Sequence, residues 1–309
     1  MDLESLNGKY EGERVFLIGN GPSLDKTPLH RIEGEHSIAM NRISKIYSQT
    51  SWRPSIYLNF NVPELGTELI TKHLDIGTLC FTLSRNSYNI QSNDKLFRLD
   101  WVEPTETRIS GKIVEDLSIE DVKKIDVEEL LNFWSDDISN QVYLWHSMYP
   151  AIQIANYLGF SKMYLLGTDL GYSDHKPYMM FDDGLDPAHY ATPRHTLFNG
   201  WKFVTSSATN RVLAKSVINL LLYKVLHSKL ATKIENNTGY FVNTDSNHFG
   251  SSYQIMPRGE LSHVNKQMII THILAKRILE EKGKHIYNST VGGNLEVHPR
   301  VDLDELESI

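Results

Sequence analysis

"SMYPAIQIANYLGFSKMYLLGTDLGY", residues 147–172, decides how the chain folds. Ile152, Ala155 and Leu158 recur at helical spacing, Gly159 stands where such a helix would end, and "KMYLLG" is a short apolar run of the kind that forms a fully buried strand. A helix that feeds directly into a buried strand is a piece of an α/β sheet. The polar loop that follows, "TDLGYSDHKPYMMFDDGLDP", leaves the strand at its carboxyl end. Open α/β sheets bind their ligands at such ends.

Working outward, the first half alternates in the same manner. Strand-like runs occur at 14–18 (RVFLI), 37–40 (SIAM), 56–59 (IYLN) and 78–82 (TLCFT), separated by helical or loop segments. The expected fold is Rossmann-like: a mostly parallel sheet with helices on both faces. Between Ser84 and Ile125 the pattern weakens and reads as a surface excursion; periodicity returns in "DVEELLNFW" (126–134). Residues 185–242 read as a helical insertion, with a loop holding Pro187, His189 and Tyr190 and a helix near 208–229. The apolar face of that helix is wider than a surface helix needs, which suits a lid or a contact within a homo-oligomer. The last part, 243–309, holds "NHFGSSY" (247–253), a helix near 264–282, a strand "HIYN" (285–288) and the acidic "DLDELESI".

Composition excludes several classes. With 31 Lys and Arg against 38 Asp and Glu, the net charge of −7 gives no overall field to attract nucleic acid or an anionic bilayer, so any anionic ligand must be held by local donors. The only cysteine, Cys80, rules out an intramolecular disulfide or a cysteine-built zinc site and suits a reducing compartment, so a cytoplasmic location is expected. The charged N-terminus does not read as a secretory leader. "VINLLLYKVL" (217–226) is about half the length of a membrane span and carries Asn219 and Lys224. It reads as a buried or partner-facing segment, with a membrane-surface contact as the alternative.

The run after the first strand, "IGNGPSL" (18–24), is neither of the usual phosphate loops. It lacks the Gly-Lys-Ser/Thr of a P-loop, and Leu24 stands where a dinucleotide fingerprint has its third glycine. Two readings stay open: a strand-to-helix turn capped by Ser23, or a cradle in which the backbone of Gly19, Asn20 and Gly21 approaches an anion. Asn41 and Asn59 close the next two strands. An asparagine amide offers the donors and the acceptor that a ribose or a nucleobase edge requires.

"LIGNGPSL", "AMNR", "YLNFN", "AIQIANYLGFSKMYLLGTDLGY" and "NHF…Y" occur in an order that resembles bacterial sialyltransferases acting on lipooligosaccharide. The chain also resembles a broader group with the motility accessory factors, which add nonulosonic acids to flagellin, and the archaeal-type 6-hydroxymethylpterin diphosphokinases. The likeness spans roughly 14–182 and 243–300. It implies a glycosyltransferase that takes an acidic sugar from a CMP-activated donor, with no other cofactor and no metal, for transfer with inversion to a glycan or glycoconjugate. Gly19, Asn20, Gly21, Ser23, Asn41 and Asn59 match the donor-binding positions, and Asp169, in the loop after the buried strand, joins them. Of a Thr-Ser-Gly that seats the donor, His146-Ser147-Met148 keeps only Ser147. Tyr172 and Tyr178 match in spacing a tyrosine pair that binds the leaving phosphate, one position late. For the catalytic base, His248 best matches the broader group, with His195 next. The domains implied are a nucleotide-sugar-binding part (1–184), the insertion (185–242) and a C-terminal part with the base (243–309). Two alternatives stay open: a pterin diphosphokinase using ATP with Mg²⁺ at Asp169 and Asp182, and a nucleotide-binding module without catalysis. The one Asp-x-Asp, Asp302-Leu303-Asp304, lies in the acidic tail and reads as a solvated helix end.

Overall fold

The structure is a computed structural model and describes residues 2–60, 65–84, 90, 93–102, 108–109, 112–113, 118–170, 249 and 262–308. All of these except Phe249 and Ser262 belong to one compact unit, Met1–Gly171 with His263–Ile309. In chain order it contains β1 (Arg14–Ile18), β2 (Ser37–Met40), β3 (Ile56–Asn59), α1 (Gly66–Asp75), β4 (Leu79–Leu83) and β5 (Leu96–Leu99). Short elements follow: β6 (Trp101–Val102), β7 (Arg108–Ile109), β8 (Lys112–Ile113), α2 (Ile119–Val122) and β9 (Val142–Tyr143). Then come α3 (Met148–Tyr157), β10 (Lys162–Leu166), α4 (Ser262–Glu281) and β11 (His285–Asn288).

The main sheet has seven strands in the order β11-β10-β1-β2-β3-β4-β5, and every pairing is parallel. Parallel sheets need cover on both faces, and the strands show it: every residue of β2, β3 and β4 is buried. The chain runs outward from β1 to β5, then returns to the other side of β1 for β10 and β11. Right-handed connections therefore put α1 and α4 on opposite faces. They also make the β1/β10 boundary the topological switch point, the place at the strands' carboxyl ends where open α/β sheets bind their ligands.

α3 is buried along its whole length, so its apolar residues face the sheet on one side and other cover on the rest. Its C-terminal carbonyls are closed by the N-terminal segment: Gly8 N–H donates to Tyr157 O at 2.9 Å and Tyr10 N–H to Leu158 O at 2.8 Å. Gly159 has φ +98°, and a Cβ there would meet the Glu11 nitrogen at 2.9 Å. A glycine is required on both counts.

The Ser84–Ile125 stretch is more than an excursion, because it supplies β5, the edge of the sheet. β5 alternates in burial, with Arg98 exposed, which breaks the continuous apolar run that marks the inner strands. β4 begins one residue later than the apolar run suggests. Residues 127–133 form a 3₁₀ helix, whose first turn is capped by the Asp126 carboxylate accepting from Glu128 N–H at 3.1 Å. The helix expected near 208–229, with the rest of the 185–242 insertion, lies outside the described residues. No described helix is long and apolar enough to cross a membrane.

Candidate functional site

At the switch point the loops after β1 and β10 bond to each other. Gly19 N–H donates to Leu166 O at 2.7 Å and Gly21 N–H to Gly167 O at 2.8 Å. Ser23 gives its N–H to Asp169 Oδ1 at 3.2 Å and its hydroxyl to Asp169 Oδ2 at 2.8 Å. Leu24 N–H returns to Gly21 O at 3.0 Å, and Pro22 has no N–H to give. Of the loop's amides, only that of Asn20 has no acceptor among the described residues. The glycines are needed for this contact: a Cβ on Gly19 would run into the Gly167 carbonyl, and one on Gly21 into the Asp169 carboxylate.

Asp169 thus stands on the Ser23 amide, in the loop for which one of the two sequence readings expects an anionic ligand. Burial raises its pKa above the usual 3.8, and the two Ser23 bonds oppose that rise. The loop after β11 locks the arrangement from the other side: Asn294 N–H donates to Asp169 O at 2.6 Å, and Thr168 N–H to Thr290 Oγ1 at 3.1 Å. Leu170, next in the chain, has φ 47°. A leucine in that left-handed region is strained by about 1–2 kcal/mol.

The three asparagines lie along the same rim. Asn20 Nδ2 donates to Met40 O at 3.2 Å, while its Oδ1 is buried with no partner among the described residues. Asn41 sits at φ 53°, a conformation that asparagine tolerates, and its Nδ2 donates to Ser147 Oγ at 2.9 Å. The loops after β1 and β2 and the start of α3 are therefore joined. Asn59 ends β3 fully buried, and neither its Oδ1 nor its Nδ2 finds a partner among the described residues. A buried polar group left in this state costs about 1–3 kcal/mol.

Beside Ser147 lies a group of histidines that local sequence does not reveal. His146 Nε2 is 2.6 Å from Thr271 Oγ1 on α4. Thr271 Oγ1 also lies 2.9 Å from Gln267 O and 3.0 Å from Met268 O, so its one proton goes either to a backbone carbonyl, with His146 Nε2–H donating to Oγ1, or to His146 Nε2 itself. His272 Nδ1 and His298 Nε2 are 2.9 Å apart, and the outer nitrogen of each is buried without a partner among the described residues. Whichever ring donates, one outer nitrogen keeps a proton and the other a lone pair. Burial pushes His272 down to about 3 and puts His146 and His298 well below 6.5, with His272 the second cause for both. All are neutral near pH 7.

No family model matches the chain, and no curated protein matches it. Among solved structures it is similar to a MAf glycosyltransferase from Magnetospirillum magneticum AMB-1, at 14% identity and a TM-score of 0.40. The match covers 96% of this chain but spans only 37% of that one.

The structure brings Gly19, Asn20, Gly21, Ser23 and Asp169 together, and links Asn41 to Ser147; Asn59 stands on the same rim without bonding to them. Tyr172, Tyr178, His195 and His248 lie outside the described residues, as does Asp182. Among the described residues no group of His, Cys, Asp and Glu is arranged to hold a metal ion.

Proposed function

We propose that the chain is a glycosyltransferase that binds a CMP-activated acidic sugar along the rim of β1, β2 and β3 and transfers the sugar with inversion to a glycan or glycoconjugate, without a metal. The sugar class is sialic acid or another nonulosonic or ulosonic acid. The observation that carries this reading is Asn59, fully buried at the end of β3 with both amide atoms unpartnered among the described residues. Its donors and acceptor complement a pyrimidine edge, which offers a carbonyl, a ring nitrogen and an exocyclic amine. Asn20 and Asn41 extend the same chemistry toward the ribose, and Ser147, held by Asn41, faces the donor from the start of α3.

In this reading the phosphate is served less by the glycine loop than sequence alone suggests, since protein acceptors take most of its amides. The Asn20 N–H and the hydroxyls of Tyr172 and Tyr178 support it, and phenolic donors suit a charge that develops as CMP leaves. His248 deprotonates the acceptor hydroxyl, with His195 as the alternative base.

Asp169 favours a second reading. A carboxylate beside a phosphate repels it unless a cation lies between them, so Mg·ATP bound at Asp169 and Asp182, as in a pterin diphosphokinase, would use this acid directly. Calorimetric titration with CMP, CTP and ATP, with and without Mg²⁺, separates the two. CMP binding that is indifferent to Mg²⁺ supports the transferase; ATP binding that requires Mg²⁺ supports the kinase; binding of none of them contradicts both.

A further inference from the structure

Away from the switch point, near the start of β3, the chain carries a built cationic cavity. About 420 Å³ in volume, it is lined by Ser44, Lys45, Tyr47, Ser48, Arg53 and Lys72, residues that precede β3 or sit on the 3₁₀ helix Ile43–Ser48 and the last turns of α1. Of these, Tyr47 is bonded to a buried stack. His73, fully buried, lies on Tyr57 with ring centroids 3.6 Å apart and planes 4° from parallel. Leu69 O can only accept, so His73 Nδ1 donates to it at 2.6 Å, and Nε2 must then accept the Tyr47 hydroxyl at 2.7 Å. The Tyr47 ring is thereby fixed.

Arg53 lies over that ring, 4.1 Å from its centroid. Its Nη1 donates to Thr50 O at 2.8 Å and Trp52 O at 2.7 Å, and its Nη2 to Tyr47 O at 3.3 Å. A guanidinium has five N–H groups, and the Nε–H and one Nη2–H have no acceptor among the described residues, which leaves both for an oxyanion. Lys72 Nζ lies 5.5 Å from the same centroid and forms no ion pair among the described residues, although Glu68 and Asp75 share its helix. Two cations thus approach one ring with no described carboxylate to neutralise them, in a chain whose net charge is −7.

We propose that this cavity binds an oxyanion carried by a ligand, a phosphate or a carboxylate, with Arg53 as the bidentate clasp and Lys72 as the second charge. The proposal is independent of the CMP reading, which concerns the carboxyl ends of the strands. The anion's source is either a soluble phosphorylated compound or an anionic lipid headgroup.

Two probes on the full chain distinguish these sources: inorganic phosphate followed by ³¹P NMR, and flotation with phosphatidylglycerol vesicles against phosphatidylcholine vesicles. Binding of phosphate alone points to a soluble ligand, and a preference for phosphatidylglycerol points to a headgroup. In either case Lys72→Ala and Arg53→Lys should each weaken binding about tenfold, the latter because it keeps the charge and loses the fork. Arg53 also holds three backbone carbonyls, so Lys72→Ala, an exposed change, keeps the test valid if Arg53→Lys folds poorly. CMP affinity should be unchanged in Lys72→Ala. Binding that is equal in wild type and Lys72→Ala overturns the proposal, as does no binding of either probe up to about 10 mM phosphate, where millimolar affinity would register.

Discussion

Gly19 and Gly21 make room for protein atoms, and this changes what a substitution there reports. If the loop is a cradle, as one of its two sequence readings has it, Gly21→Val blocks the anion and spares the strand before it. In the structure a Cβ at either position strikes the β10 loop first. The two positions should still differ. At Gly21 the first obstacle is the Asp169 carboxylate, which can turn away at the loss of its Ser23 bonds, about 1–3 kcal/mol, and the Gly167 carbonyl stands behind it at 2.8 Å, farther off than at Gly19. At Gly19 it is the Gly167 backbone, which cannot. Gly19→Ala should therefore lower the thermal midpoint more than Gly21→Ala; equal midpoints, or none shifted, would contradict this contact between the two loops. Asn41 and Asn59 are legible in the sequence because an asparagine at a strand end is visible in a single chain, Asn20 because it sits in a glycine-rich run, and Ser147 only through the family resemblance. The bond between Ser23 and Asp169 is not, since it joins loops far apart in the chain.

Among the elements, β1 to β4 can be read because strands buried on both faces are continuous apolar runs. β5 escapes such a reading because an edge strand has an exposed side and its apolar signal alternates. The contact of α4 with the start of α3 and the loop after β11 is also hidden, since His272 and His298 carry no local signature. That contact has a measurable consequence. Folding holds His272 at about 3 and His73 at about 4, below the ordinary 6.5, with His146 and His298 also depressed. As pH falls the unfolded chain protonates first, so stability is full above about pH 7 and declines below about 6.5, by up to about 1.4 kcal/mol per pH unit for each such histidine. For His73 the decline ends near its folded value of about 4, and for His272 near about 3. Urea unfolding at pH 7.5 and pH 5 should show this loss, and His272→Asn should make it smaller. An identical loss in that variant would mean that the buried histidine does not titrate as its surroundings require.

Over the whole molecule, the switch point between β1 and β10 is where the sheet gathers its loops, and the proposed chemistry divides around it. In the proposed function, donor binding belongs to the asparagine rim and proton transfer to His248. His248→Ala should therefore reduce turnover of a CMP-sugar about 10²–10⁴-fold and leave CMP affinity nearly unchanged. If His195→Ala behaves this way instead, the base lies in the insertion. The rim itself can be observed directly. In protein labelled with ¹⁵N at asparagine, the side-chain NH₂ signal of Asn59, assigned by its disappearance in Asn59→Ala, should shift on titration with CMP in the absence of metal, while that of Asn7, remote from the rim, stays in place. An Asn59 signal that does not move while CMP saturates the protein would contradict the assignment of the nucleotide to this rim.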